Sequence, residues 1–457
     1  MKLAKLSLAA MVVAGLASSS FAASTTLEDA FKNCKVSGEL KAWYFDKQDM
    51  ASSSGTKGNE NIIDTAITLG YVTDSLYGFS FGATFQGAAN PNAEENAKTL
   101  FRDDQAAGGA TLSEAYLAYT IGKTTVKAGR QFIATPLVNG SGSRIFQEAF
   151  EGVTVVNTDL PQTTLVAGFV DKFQGRTNHV NATGATTYAN TTVGDSPRFR
   201  DSAAFTGGGS AGLIVSFEDA YTAAVINKSV DNLTLTAQYA LVKDVAELAD
   251  VDVYYTEANY VLPVSGFKLG FDANFRGSHT DTGLKALQLD GTYTAARVSI
   301  SELAGFGASF AYGTTSKDDA VVAGMGNGPT SYTSTMIRGT STRMMADVDS
   351  YLFAATYDFS KIGVTGLTAL AQYGWTTQGA TAKVVSSTTP GAGAVANAAA
   401  DLKNYAVGVT YAVPALKGLT TSVQYETQEK DPHTSSVATN GLTSRVDELW
   451  FKAGYKF

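Results

Sequence analysis

Charge is scarce in this sequence, and so are several residue types that mark common protein classes. Only 17% of its 457 residues are charged, against about a quarter in an ordinary soluble domain. One cysteine and three histidines are present. A single cysteine excludes a disulfide scaffold, and the weak charge argues against a disordered chain. The net charge of −8 disfavours nucleic acid as a partner.

Long hydrophobic runs are also scarce. A membrane-spanning helix needs about 20 consecutive apolar residues, and the mean hydropathy of −0.02 argues against many such helices. An apolar run from Leu6 to Ala17 follows Lys2 and Lys5, and small residues stand at Ser20 and Ala22. This run is too short to span a bilayer. The pattern predicts a secretory signal peptide over residues 1–22.

Alternation with a period of two residues dominates the rest of the chain, as in β-strands with two different faces. A short helix from Thr26 to Lys32, with Thr26 as its N-cap, is expected before the first strand. In the segment 267–276 one face carries Phe267, Leu269, Phe271, Ala273 and Phe275, and the other carries Lys268, Gly270, Asp272, Asn274 and Arg276. Such strands present an apolar face to lipid and a polar or small face to water.

Connections alternate between eight short turns and nine long polar loops, which predicts 18 strands. One hairpin missed or added would give 20 or 16. The predicted fold is all-β: a transmembrane antiparallel barrel over residues 36–457, with short periplasmic turns and long external loops, after a short periplasmic segment over residues 23–35. A closed barrel pairs every backbone group without an edge. A secreted sandwich array or solenoid would show separate domains or a fixed repeat, and neither is found.

The C-terminal strand carries Leu449, Phe451, Ala453, Tyr455 and Phe457 on one face. A strand ending on Phe457 resembles the C-terminal signal of bacterial outer-membrane barrels, which their assembly machinery recognises. With the signal peptide, this predicts export to a Gram-negative outer membrane and lipid contact. A barrel of about 16 to 18 strands encloses an aqueous channel, which indicates passive diffusion of ions and small hydrophilic solutes.

The segment after the fifth strand contains Gly129-Arg130, Thr135-Pro136-Leu137 and Ser143-Arg144-Ile145-Phe146. These pieces resemble the third loop of the OprD-type specific porins. The N-terminal sequence, with MKLAKLSL and then LEDAFKN, is similar to the major outer-membrane porins of Campylobacter and related epsilonproteobacteria. Members of the OprD-type family often carry Asp before the Ser-Arg pair, where this chain has Gly142.

The resemblance implies that the third loop folds into the lumen and narrows it, and that the porin is a homotrimer. It nominates Arg144, Glu148 and Glu151 as constriction residues, with Arg130 and Asp171 as further candidates. Charges in a narrow pore focus the field and bias which ions enter. The alternative is that these are solvated residues of an external loop. Arg130 has the parity of the lipid face, so a bulge or the strand end must redirect it.

The opposite wall of the pore is expected to be basic. Lys127, Lys268 and Arg276 have the parity of the lumen, and OprD-type pores use lumenal basic residues to guide carboxylate-bearing solutes. Asp171 is also a weak candidate for calcium, because a similar Asp occurs in Campylobacter-type porins. Calcium needs about six to eight oxygen ligands, and no compact acidic loop supplies them, so no cofactor is otherwise expected.

Enzymatic activity is not expected. All three histidines fall in predicted external loops, whereas a barrel hydrolase would need a strand histidine beside a nucleophile. The remaining alternative to a porin is a surface structural or adhesive barrel, in which the long loops act and the pore is plugged.

Overall fold

A computed structural model describes residues 24–49, 58–102, 104–178, 195–207, 210–338, 343–380, 384–385, 395–396, 399–433 and 444–457. The predicted signal peptide lies outside these residues. In this part of the chain one antiparallel sheet closes on itself, because the first strand pairs with both the second and the last. No described helix is long and apolar enough to cross a membrane.

Eighteen strands of the described chain form this barrel, as the loop and turn pattern predicted. They are β1 (Lys35–Asp49), β2 (Gly58–Val72), β3 (Phe79–Ala89), β4 (Gly109–Ile121), β5 (Thr124–Gln131), β6 (Ala149–Asn157), β7 (Thr163–Gln174), β8 (Ala220–Asn227), β9 (Leu233–Val245), β10 (Ala249–Val264), β11 (Phe267–Thr280), β12 (Thr292–Leu303), β13 (Phe306–Thr315), β14 (Val348–Asp358), β15 (Leu367–Gln378), β16 (Ala400–Ala412), β17 (Leu419–Pro432) and β18 (Ser444–Lys456).

The two faces of the strands differ as the alternation predicted. On β11, Phe271 and Phe275 are exposed, whereas Asp272, Asn274 and Arg276 between and beside them are buried. A closed sheet cannot bury its outer face, so the exposed apolar side chains define a lipid-facing surface. The buried polar side chains face the lumen and the loops that enter it.

Aromatic rings gather near both ends of the strands. At the short-turn end, Phe79 lies 4.5 Å from Tyr119 between ring centroids, and Tyr357 lies 4.9 Å from Phe359. Near the other end an outward row crosses β13 to β16 and comprises Tyr312, Tyr351, Trp375, Tyr373 and Tyr405. Two such girdles mark the two membrane–water interfaces.

Connections at one end of the barrel are short, and the predicted N-terminal helix packs beside them. Helix α1 (Leu27–Lys32) starts after Thr26, whose hydroxyl accepts a hydrogen bond from the Asp29 amide at 3.1 Å. Ser24 Oγ donates to Asp74 Oδ2 at 2.7 Å, which holds the chain start against the turn after β2. This confirms the predicted helix and its cap.

The long loops lie at the opposite end, and we number them in chain order. L2 (residues 90–108) contains helix α2 (Glu95–Leu100), and L6 (281–291) contains the 3-10 helix Thr282–Leu287. A second 3-10 helix, Phe359–Ile362, lies in a short turn. L5 is shorter than predicted, because β9 and β10 extend to within three residues of each other, at 246–248.

Part of the expected L4 and L7 is regular structure inside the mouth of the barrel. Ser202–Gly207 of L4 (175–219) pairs with Ser210–Ser216 on one side and with Val322–Met325 of L7 (316–347) on the other. L4 also contributes the two-residue strand Phe199–Arg200 to the end of β7, and a small pair joins Val384–Val385 to Val395–Ala396. These short strands do not follow the pattern of long alternating strands joined by turns that marks the barrel. The sequence therefore did not distinguish them from loop.

A hydrophobic core fills one side of the mouth. L3 (132–148), L4, L6 and L7 contribute apolar side chains that pack against the lumenal faces of β9 and β10. The buried residues include Ile133, Leu137, Val138, Phe205, Val215, Phe217, Leu284, Leu287, Val322, Met325, Val242, Val251 and Val253. Burial of this apolar surface holds the loops inside the barrel.

Candidate pore constriction

L3 crosses the lumen and is anchored on strands far apart around the barrel. Lys452 Nζ of β18 donates to Ser143 O at 3.1 Å, and Lys41 Nζ of β1 donates to Ile145 O at 3.2 Å. Gln86 of β3 donates to Gln147 O at 2.9 Å. The Leu137 amide donates to Gln238 Oε1 of β9 at 2.9 Å. These anchors confirm that the third loop folds into the lumen.

Four loop residues form a chain of alternating charge beside L3. Arg144 Nε lies 3.0 Å from Asp104 Oδ1 of L2, and Arg176 Nη1 of L4 lies 3.4 Å from the same oxygen. Arg176 Nε lies 3.3 Å from Glu148 Oε1. We call these four residues with Lys41 and Lys452 the eyelet cluster. Its four basic side chains and two carboxylates give a formal net charge of +2.

Asp104 remains ionised because of its neighbours. Burial acts to raise its pKa, but Arg144 and Arg176 lower it by more, and the result lies well below the usual range of an aspartate. For Arg176 burial has the larger effect and lowers the pKa, although Glu148 acts to raise it. Asp104 is therefore ionised at neutral pH, where it pairs with Arg144 and Arg176.

Glu148 is fully buried, and it joins L3 to L7. Its Oε2 accepts hydrogen bonds from the amides of Ser141 at 2.8 Å and Asn327 at 2.9 Å. The Asn327 side-chain amide donates to Oε1 at 2.5 Å. A buried carboxylate with several donors orders the groups around it. Glu148 thus positions two loops, and its side chain is not open to the lumen.

Three aromatic rings from β1 and β18 stand next to the cations of the cluster. Phe45 packs edge-on against Trp450, with 5.1 Å between ring centroids. Lys452 Nζ lies 4.3 Å from the centroid of Trp450 and 4.5 Å from that of Trp43. The Arg144 guanidinium lies 4.5 Å from the Trp450 centroid. Cation–π contacts of this kind hold long basic side chains in place.

A second loop enters the lumen, which the sequence did not indicate. Residues 327–338 of L7, here called the L7 strap, contact strands on several sides of the barrel. Tyr332 hydrogen-bonds Glu257 of β10, and Ser331 Oγ lies 2.5 Å from Tyr293 Oη of β12. Thr335 Oγ1 donates to Glu426 Oε1 of β17 at 2.5 Å. The strap is therefore fixed to both sides of the lumen.

Glycines allow the backbone of L7 to lie directly against L3. The Met325 amide donates to Leu137 O at 2.7 Å, and the Asn139 amide donates to Met325 O at 3.0 Å. Gly326 has φ of +85°, and a Cβ there would lie 2.3 Å from Asn139 O. Gly324, with φ of +143°, would place a Cβ 2.4 Å from Leu137 O. Only glycine fits both the conformation and the space.

Arg130 and Glu151 lie on the other face of the sheet from Lys127. They are cross-strand partners on β5 and β6, with Arg130 Nε 2.7 Å from Glu151 Oε2. Arg130 keeps the outward parity of Ala128, and Phe199 of L4 covers it at 4.4 Å from the ring centroid. Neither residue contacts the eyelet cluster. A bulge or the strand end was expected to turn Arg130 towards the lumen. Arg130 instead stays on the outer face of the sheet, where it pairs with Glu151.

Asp171 lies at the register shift between β6 and β7. Its carboxylate pairs with Lys172 Nζ at 3.1 Å, and both side chains are about half exposed. No group of three or more His, Cys, Asp or Glu side chains in the described chain is arranged to hold a metal ion. Calcium at Asp171 stays a prediction.

The three basic wall candidates face the lumen at separate places. Lys127 is buried beneath Tyr116, with Nζ 4.0 Å from the ring centroid. Arg276 is only 3% exposed and lies behind L7, where Nη1 contacts Met344 Sδ at 3.7 Å. Lys268 lies near the short turn after β10 and pairs with Glu302 at 2.8 Å. They do not form one wall.

Lys41 and Lys452 are the cations that contact L3 from the strands. The alternation of the sequence along β18 could have indicated Lys452. Lys452 shares the lumenal face of β18 with Glu448 and Trp450. Asp104 and Arg176 lie in long loops without periodicity, so no pattern marked them. His279 lies in β11, one residue before its end, instead of in a loop. His433 Nε2 lies 3.0 Å from Asp401 Oδ1, and His179 lies outside the described residues.

A closed barrel with lipid-facing apolar residues, aromatic girdles and a charged loop across its lumen defines an outer-membrane porin. Porins are channels and not enzymes. The family model described as Campylobacter major outer membrane protein matches residues 1–256, more than half of the chain. The chain belongs to this family, and its location is the outer membrane. No curated protein sequence matches it.

Solved porins of Pseudomonas aeruginosa share the fold. OccK8 (OprE) is 17% identical, with a TM-score of 0.69 over 94% of this chain and 99% of that one. OpdK with vanillate is 14% identical, with a TM-score of 0.70 over 93% and 99%. OccK9 (OpdG) is 14% identical, with a TM-score of 0.71 over 94% and 100%. At these identities the likeness establishes the barrel fold.

Proposed function

We propose that this porin allows passive diffusion of ions and small hydrophilic solutes and favours those that carry a carboxylate. The observation that carries the proposal is the net positive eyelet cluster. Arg144 and Arg176 supply it from the loops, and Lys41 and Lys452 supply it from the strands. A net positive constriction raises the local concentration of anions.

The aromatic rings beside the eyelet cluster hold one of its cations in position for a carboxylate. Trp43, Phe45 and Trp450 stand next to Lys452. These rings are buried in an apolar cluster with L2 and L3 side chains, so an organic carboxylate would pair with the lysine that they hold in place. The solved relative OpdK was determined with vanillate, an aromatic carboxylate, which is consistent with this chemistry in a barrel of the same fold.

A second candidate function is a structural or adhesive barrel with a plugged pore. The hydrophobic core in the mouth favours it, because L3, L4, L6 and L7 all pack there. The two candidates differ in one observable, since a plugged barrel carries no current. The homotrimer and recognition of the Phe457 strand by the assembly machinery stay predictions.

Conductance of the refolded protein in a planar bilayer tests the proposal. We expect an ohmic channel whose reversal potential in a salt gradient indicates anion preference. Benzoate should then reduce the chloride current, whereas benzamide, which is neutral and of similar size, should not. Absence of a channel would support the plugged barrel. If benzoate and benzamide reduce the current equally, the proposed preference for carboxylates is wrong.

A further inference from the structure

Arg338, at the C-terminal end of the L7 strap, is connected through side-chain contacts to the eyelet cluster. Its guanidinium forms an ion pair with Glu448 of β18, and both side chains are largely buried. Trp450 Nε1 donates a hydrogen bond to the other oxygen of Glu448 at 3.1 Å. One carboxylate therefore holds both Arg338 and Trp450.

Trp450 continues this series of contacts to L3. Its ring faces the Arg144 guanidinium at 4.5 Å, and Arg144 pairs with Asp104. Asp104 contacts Arg176, which contacts Glu148. At the other end of the strap, Asn327 binds Glu148. The contacts thus form a closed ring, and the backbone of the L7 strap completes it between residues 327 and 338.

Arg338 retains binding capacity inside this ring. A guanidinium has five N–H donors, and Glu448 Oε1 accepts from Nη2. Its Nε is buried and has no hydrogen-bond partner among the described residues. An unpaired buried donor costs free energy and attracts any acceptor that reaches it. The Arg338 side chain is 23% exposed, so a passing carboxylate or chloride can reach the exposed part of the guanidinium but not Nε.

We infer that Arg338 is a specificity-determining residue of the channel, on the wall of the constriction provided by the L7 strap. This inference rests on the proposed channel function. Arg338 neutralises Glu448, and their pair fixes Trp450 beside Arg144. Without Arg338, an unpaired carboxylate would lie next to the eyelet cluster. Arg338 of L7 then joins Lys41 and Lys452 in the basic wall facing L3, to which Lys127, Lys268 and Arg276 do not contribute.

The test compares Arg338→Gln, Arg338→Lys and the control Arg445→Gln in planar bilayers. Arg445 pairs with Asp447 at 2.9 Å on the outer face of β18, so its loss changes the same charge outside the lumen. We expect Arg338→Gln to lower the anion-to-cation permeability ratio about twofold, from the loss of one charge several ångströms from the path. Arg338→Lys should keep most of the ratio, and Arg445→Gln should match the wild type.

Folding is checked by the heat-dependent electrophoretic mobility of the barrel. If Arg338→Gln does not fold, Glu448→Gln replaces it and should raise the anion preference, because it removes a negative charge and frees Arg338. A ratio equal to that of the wild type in the folded variant would overturn the inference while leaving the channel intact. A wild-type protein without channels would refute the proposed function and the inference with it.

Discussion

Replacement of Arg144 by glutamine perturbs the charge of the constriction at one known point. Arg144 is 8% exposed, and its guanidinium contacts Asp104, Ser143 and Trp450. Glutamine keeps a side chain of similar reach that can still hydrogen-bond Asp104. The net charge of the eyelet cluster falls from +2 to +1, because one of its four cations is lost.

Coulomb's law gives the size of the effect. For an ion about 6 Å from the guanidinium in a water-filled pore, one unit charge is worth about 0.7 kcal/mol, which is about threefold in local concentration. A pore that excluded part of its water would increase this value several-fold. We therefore expect the anion-to-cation permeability ratio to fall about threefold or more.

Reversal potentials across a bilayer with a KCl gradient measure that ratio. Arg144→Lys is the matched control, because it keeps the charge and loses the planar contact with Trp450. The reasoning predicts that the lysine variant stays near the wild type and that the glutamine variant does not. If Arg144→Gln leaves the reversal potential unchanged, Arg144 does not face the permeating ions. If the lysine variant changes as much, shape and not charge is decisive.

Two further predictions concern stability. Gly326→Ala should lower the urea midpoint of the refolded barrel by the equivalent of about 1–3 kcal/mol more than Gly363→Ala. Both glycines have positive φ, but nothing lies within 4 Å of a Cβ at Gly363, whereas Gly326 meets Asn139 O. The folded pKa of Asp104 is held below its unfolded value, so its ion pairs stabilise the protein above the unfolded pKa of about 3.9. The difference in melting temperature between the wild type and Asp104→Asn should be constant from neutral pH to about 4 and shrink at lower pH.

Each stability prediction has a contrary outcome. Equal midpoints for the two alanine variants would mean that L7 can move away from Asn139 at little cost. A melting difference that stays constant from neutral pH to well below pH 4 would mean that Asp104 has the same pKa in the folded and unfolded protein and that Arg144 and Arg176 do not act on it.

The faces of the strands could be predicted because lipid and water alternate with the same period as the side chains. That signal placed Phe271 outside and Asp272 inside, and it also put Lys452 on the lumenal face. The motif around Arg144 located the loop that crosses the lumen. Both predictions depend on local sequence, so they needed no knowledge of distant contacts.

The partners of the constriction could not be predicted in this way. Glu148 binds Asn327 across 179 residues of chain, and Arg338 meets Glu448 across 110. Loops have no side-chain period from which to infer such pairings. Strand parity also identifies only the lumenal face and not what covers it, which is why Arg276 could be assigned to a pore wall although L7 buries it.

The hydrophobic core in the mouth determines which side of the barrel can act on a solute. Apolar residues of four loops cover the lumenal faces of β9 and β10, and polar solutes are excluded from such packing. Lys452, Lys41 and Arg338 lie between L3, the L7 strap and the β18–β1 side, beside a second apolar cluster in which L2 and L3 side chains cover Trp43, Phe45 and Trp450. On the proposed function, an anion passing the constriction meets loop and strand cations together. Selectivity then depends on how L3 and L7 are held against β1 and β18. A change in either loop would alter the electric field that Lys41 and Lys452 produce in the constriction.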